Sequence, residues 1–134
     1  MNRVIDACAM IAFLRDEPGA EFLEAILTHP ADRCFAHAVN LCEVYYDFLR
    51  TTDVRTARSA IADLGRAGIH TRRDMSQKFW QRVGWLKGTI RKISLADCFA
   101  VALSERLLGD VVTSDHREFD PLVAAKSARV TFIR

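Results

Sequence analysis

The stretch NRVIDACAMIAFL, residues 2–14, decides the fold. Val4 and Ile5 end a short extended run, Asp6 interrupts it, and small and apolar residues at helical density follow at once. A strand that passes into a helix with no hairpin turn between them opens a parallel βα unit. The reading is a strand over 2–5 and a helix over 7–14, with an acid at the junction.

The same grammar repeats outward from this stretch. Pro18 and Gly19 punctuate, and Phe22, Leu23, Ile26 and Leu27 keep helical spacing over 20–28. Residues 33–36 suit a second strand, and Leu41, Val44, Tyr45, Phe48 and Leu49 mark a helix over 39–50. Thr52 or Asp53 can cap a further helix reaching Ala67, stopped by Gly68. A strand at 69–71, a long helix over 75–91 and a periodic helix from Ser94 through Leu108, ended by Gly109, come next. A strand at 110–113, a short helix at 118–125 and a last strand at 130–133 complete the chain. Short β-rich segments alternating with helices predict a three-layer α/β/α sandwich around a central, mainly parallel sheet.

Composition fits one domain over residues 1–134: half the residues are hydrophobic, 27% are charged, and mean hydropathy is +0.02. No apolar run approaches the ~18 residues of a membrane span. No signal peptide is read at the start, so the expected compartment is the cytosol. Cys8, Cys34, Cys42 and Cys98 have no paired short spacing, which argues against zinc. They are expected to be reduced and buried. Net charge is only +2, yet residues 66–92 carry eight cations against Asp74 alone. With Phe79, Trp80 and Trp85 interleaved, this stretch suits phosphate contacts and base stacking, with Arg72, Arg73, Lys78 and Arg82 as the candidates. It equally suits a solvated helix face whose aromatics turn to the core.

Four acids stand out by position. Asp6 and Asp115 follow strands, where open α/β sheets bind ligands, and Glu43 and Asp97 lie near helix starts that can face the same edge. Each has a local alternative. Asp6 can cap its helix, Asn40-x-x-Glu43 and Ser94-x-x-Asp97 fit capping boxes, and Asp115 can form an Asx-turn. Their apolar surroundings favour a cation, because acids gathered in such settings repel unless one holds them. Oxygen-only ligation selects Mg²⁺ or Mn²⁺. The phosphate-binding loop G-x-x-x-x-G-K-[ST] and the H-E-x-x-H, G-x-S-x-G and G-x-G-x-x-G patterns are absent. Of the histidines only His116 lies near a candidate acid, and a surface role is expected for it.

In this order and spacing the motifs resemble those of PIN-domain ribonucleases. VIDACAMIAFL (4–14) is similar to the family's opening, VNLCEVYYDFL (39–49) to its glutamate motif, and SLADCFAVALSERLLGDVVTSDHREFDPL (94–122) to its third and fourth motifs. Length and the lack of an accessory domain look most like the toxin half of VapBC-type toxin–antitoxin pairs. The resemblance implies a Mg²⁺- or Mn²⁺-dependent endoribonuclease of the cytosol, acting on RNA, paired with an antitoxin protein and homodimeric. Asp6, Glu43, Asp97 and Asp115 match the acidic positions, and Thr113 and Ser114 the hydroxyl positions before the last acid. The usual hydroxyl residues after the first aspartate are replaced by Ala7 and Cys8.

The implied site has Asp6, Asp97 and Asp115 on one cation, with Glu43 orienting a water or helping to hold a second ion. His116, Glu118 and Asp120 are nearby polar residues that the motifs do not require. Two rival classes stand beside this reading: an inactive relative that binds RNA or protein, and a small Mg²⁺-dependent phosphatase. Against the phosphatase, Asp6 lacks the second aspartate of an Asp-x-Asp pair.

Overall fold

The computed structural model describes residues 1–134. Five strands, β1 (Asn2–Ile5), β2 (Arg33–His37), β3 (Ile69–Arg72), β4 (Asp110–Thr113) and β5 (Val130–Phe132), form one sheet in the order β3-β2-β1-β4-β5. Every pairing is parallel. The helices are α1 (Ala7–Leu14), α2 (Ala20–Thr28), α3 (Ala38–Thr51), α4 (Val54–Arg66), α5 (Gln77–Thr89), α6 (Leu95–Arg106) and α7 (His116–Ala124). None is long and apolar enough to cross a membrane.

Strand alternation feeds two separate cores. Ile5 and Val112 point into the layer with Met10, Leu23, Val44 and Leu64, whereas Val4 and Val111 point into the layer with Phe79, Leu86, Leu103 and Phe119. Helices α1–α4 therefore cover one face and α5–α7 the other, as a sheet buried on both sides requires. The chain winds outward from β1 through β2 to β3, then returns to add β4 and β5 on the opposite side. Strand order thus reverses between β1 and β4, and a crevice opens beyond their carboxyl ends. The Asp6 amide donates to Val112 O at 3.0 Å and ties the two strand ends together there.

Several local expectations are corrected. Helix α3 starts earlier than its periodicity suggests, because His37 caps it through Nδ1, which accepts from the Val39 amide at 3.1 Å. Asn40 is therefore inside the helix and buried, donating to Ala96 O at 3.3 Å, and forms no capping box with Glu43. Cys34 and Cys98 are buried, but Cys8 and Cys42 are exposed. On α5 Phe79 is buried while Trp80 and Trp85 are 48% and 56% exposed, so the tryptophans do not turn to the core.

Helix α6 ends before Gly109. Leu108 takes the left-handed conformation at φ +53, with its amide bonded to Glu105 O and that of Gly109 to Ser104 O. This is a Schellman closure with leucine at the position usually held by glycine. The glycine one residue later is needed for another reason: a Cβ there would lie 2.1 Å from Asn2 O. Opposite outcomes should follow. Leu108→Gly relieves left-handed strain on an 82% exposed side chain and should stabilise the fold by about 0.5–1 kcal/mol. Gly109→Ala must push β1 away and should cost about 1–3 kcal/mol. Urea melts of both variants check the pair, and equal effects at the two positions would refute the assignment.

Candidate metal centre

The acids meet at the crevice because each sits at a fixed point of local structure. Asp6 caps α1 with Oδ1, which accepts from the Ala9 amide at 2.8 Å. Its other oxygen, Oδ2, is buried with no partner, and the residue is 0% exposed. Capping and a second role therefore coexist on one carboxylate. Asp115 caps α7 by accepting from the Glu118 amide at 3.2 Å, rather than ending in an isolated turn. Ser94 caps α6 and accepts from the Asp97 amide at 3.1 Å.

The reciprocal half of that last cap is unusual. In a capping box the third residue of the helix would reach back to the capping amide. Here Glu118 of α7 takes that place, with Oε2 accepting from the Ser94 amide at 3.2 Å. Asp97 is released from the cap and turns to its neighbours. Asp97, Asp115 and Glu118 each offer an oxygen within 4.8 Å of the others. Glu118 is thus a member of the cluster that the motifs did not require. A signal for it exists, because Asp115-x-x-Glu118 is itself a capping-box spacing at the start of α7.

Protonation records how closely the acids crowd. Burial raises Asp97 to about 9, and its hydrogen bond to Glu118 and the charge of Asp6 add to the effect. Glu118 is partly buried, which opposes ionisation, yet the Asp97 proton and the Ser94 amide draw it below its ordinary value. The two carboxyl groups therefore titrate together, Asp97 being raised and Glu118 lowered. Burial raises Asp6 to about 7 against the pull of the Thr113 hydroxyl and the Ala9 amide, and Asp115 and Glu43 push it further. Glu43, half-buried on α3, is raised by burial and then by the Glu118 charge. The Cys8 thiol is pushed up by desolvation and by Asp6, Asp115, Asp97 and Glu43, so it stays protonated. All four acids singled out in the sequence therefore feel one another, with Glu118 as a fifth.

Thr113 holds the frame of this cluster. It is fully buried, its Oγ1 accepts from the Asp115 amide at 2.9 Å, and its hydroxyl lowers the pKa of Asp6 against the effect of burial. Ser114 is half-buried beside it. The basic residues divide differently. Arg72 makes a two-point ion pair with Asp74 at 2.8 and 2.9 Å, and Arg82 does the same with Glu105 at 2.8 Å on both oxygens. Arg73 and Lys78 are exposed. His116 is exposed, stacked on Phe132 at 3.9 Å and bonded to Asp120 and Arg134 O, so it fastens the surface as expected.

The unpartnered Asp6 oxygen, the oxygen-only donors and the raised pKa of Asp97 all fit a site for a divalent cation. The family model for the PIN domain matches residues 3–122. The chain belongs to the PIN domain family. No curated protein matches it significantly. The fold of this PIN domain is similar to that of VapBC-1 from nontypeable Haemophilus influenzae, with 18% identity, 99% of this chain and 98% of that chain covered, and TM-score 0.74. It is also similar to VapBC2 from Rickettsia felis, solved bound to a promoter DNA fragment, with 12% identity, 98% of both chains covered and TM-score 0.75. A third similar structure is Mycobacterium tuberculosis VapC20, a sarcin–ricin-loop-cleaving toxin, with 15% identity, 92% and 94% coverage and TM-score 0.71.

Proposed function

We propose that this PIN domain is a Mg²⁺- or Mn²⁺-dependent endoribonuclease of the cytosol and the toxin of a toxin–antitoxin pair. The observation that carries the reading is the gathering of Asp6, Asp97, Asp115 and Glu118, with Glu43 beside them, at the point where strand order reverses. Carboxylates so close and so buried are costly unless a cation joins them. Asp97, Asp115 and Glu118 would hold the ion, with Asp6 Oδ2 as a further donor and Glu43 placed to orient a water or share a second ion. Such an ion lowers the pKa of a water and neutralises charge on the scissile phosphate. Thr113 keeps Asp6 and Asp115 in register, and the Glu118–Ser94 contact locks α7 against α6 so that the donors do not drift apart.

Ser114 beside Asp115 is a candidate for contact with the strand being cut. Arg73 and Lys78 are free to meet phosphates, whereas Arg72 and Arg82 must first release Asp74 and Glu105. The fold neighbours among VapBC assemblies favour an antitoxin as partner, and a homodimer is our proposed working form. An antitoxin lysine or arginine entering the acidic crevice would neutralise it in place of the ion.

The test uses the purified chain with a folded RNA, with Mn²⁺ and with excess EDTA. Cleavage should appear with the metal and vanish with the chelator. Undiminished cleavage in EDTA would remove the metal role. Binding without cleavage would favour the inactive module, and phosphate release from a small monoester without RNA cleavage would favour the phosphatase.

A further inference from the structure

Beside the acidic centre the α5–α6 loop and the start of α7 enclose an open cleft of about 720 Å³. Asp115 and Glu118 line one part of it, and Lys87, Arg91, Lys92 and Arg117 line the rest. We propose that this cleft is the phosphate track along which a single RNA strand enters the centre, with Arg91, Lys92 and Arg117 as its positioning residues. This inference rests on the ribonuclease reading and deepens it.

Several other cations in and near the basic stretch are already paired within the fold. Arg72 and Arg106 converge on Asp74, and Arg82 is held by Glu105 while lying over Trp85 at 4.6 Å. Their charge is largely cancelled within the fold. Arg91, Lys92 and Arg117 are exposed and make no ion pair, although acids lie in the same cleft. Lys87 is anchored by donating to Ile93 O at 2.7 Å, and its charge helps hold Glu118 ionised. Apart from Arg73 and Lys78, the unpaired cations of the basic stretch therefore lie at the α5–α6 loop, next to the carboxylates.

That juxtaposition matches one kind of ligand. A chain of phosphates offers an anion at every residue, so one phosphate can reach the metal centre while its neighbours are held by the cations. Phosphate contacts fix register and carry no sequence information. Ile93 is the one hydrophobic residue among those that line the cleft, and four of the others are cations, which suits a phosphate backbone. The geometry thus separates positioning, by the loop and α7, from chemistry, by the acids.

The experiment measures binding of a labelled single-stranded RNA in EDTA, where no cutting occurs, across a salt series. Arg91→Glu/Lys92→Glu is compared with Arg55→Glu/Arg58→Glu, which makes the same charge change on the exposed face of α4. The cleft variant should lose about tenfold or more in affinity, and its salt slope should fall by about 1.4, at about 0.7 per lost contact on a single strand. The α4 variant should change by less than about threefold by the same reasoning, since it removes no contact. Arg117→Gln should give a smaller loss, and it tests the track should the double reversal fail to fold. Equal losses in the cleft and α4 variants, or an unchanged slope, would overturn the proposal. So would loss of an acidic partner peptide with RNA binding intact. Failure of the two readings is distinguishable. Wild type that binds RNA through the cleft but never cuts with Mn²⁺ defeats the ribonuclease alone, whereas cutting insensitive to cleft reversal defeats the track alone.

Discussion

Asp97→Asn should abolish cleavage while leaving the metal-free protein as stable as the parent at pH 8, or more stable. The several kcal/mol that a metal ion supplies to charge stabilisation correspond to about a thousandfold or more in rate. Stability should move the other way because native Asp97 keeps its proton to about 9. In the unfolded chain an aspartate releases it near 4. Between these values the folded state binds a proton that the unfolded state lacks, so stability falls as pH rises through the window. Asp6, raised to about 7, adds a loss of the same sign between about 4 and 7. Glu118 opposes it weakly, since its lowered value contributes stability that is lost only as the solution becomes acid.

Asparagine at 97 still offers an N–H to Glu118 and has no proton to lose. The variant's melting temperature in EDTA should therefore vary less between pH 5 and 9 than the parent's. Mn²⁺ should raise the parent's melting temperature with concentration and raise the variant's less. If Asp97 served only the helix dipole, its loss would cost about 0.3–1 kcal/mol and spare activity. Paired melts and cleavage assays with and without Mn²⁺ decide between them, and a destabilised, fully active variant would sink the acidic metal centre.

The contrast between Asp97 and Glu118 marks how far the site was legible in the sequence. Asp97 stands out because it is an acid within the apolar run of α6, where burial makes it costly. Glu118 lies in the polar segment His116–Asp120, where an acid is ordinary, and its partner Ser94 comes from an element 24 residues away. No local pattern contains that contact. The strands and helices were legible from periodicity, and their alternation implied a parallel sheet. Strand order was not, because strands buried on both faces have no polar side to fix their neighbours. Charge counting overstated the basic stretch for a related reason. Glu105, which neutralises Arg82, lies outside the stretch and reaches it only through the packing of α5 on α6. Helix α6 stops at Arg106, two residues before the expected end at Leu108, and Gly109 serves the close approach to Asn2 instead.

Arg3→Met should cost about 3–5 kcal/mol, although Arg3 lies far from the acidic centre. Arg3 lies opposite Asp110 in the β1–β4 register, at the amino ends of the strands, and so at the edge of the sheet far from the crevice. Its Nη1 donates to Asp110 Oδ2 at 2.7 Å and its Nε to Asp32 Oδ1 at 3.3 Å, while Thr131 of β5 also donates to Asp110. One guanidinium thus joins β1 to β4 and to the turn entering β2. The Asp110 side chain is only 4% exposed and one of its oxygens already lacks a partner. Removing Arg3 would leave a buried carboxylate with Thr131 alone, and an uncompensated buried charge costs far more than the pair itself contributes. Asp110→Asn in the Arg3→Met background removes that charge and keeps an acceptor for Thr131, so it should recover a large part of the loss. Urea melts of the two single variants and the double variant measure the coupling, which should exceed about 1.5 kcal/mol for groups in direct contact. Additive losses would refute the pair. Cleavage per folded molecule should be unchanged throughout, because the network holds the closed edge of the sheet and reaches none of the acids at the open one.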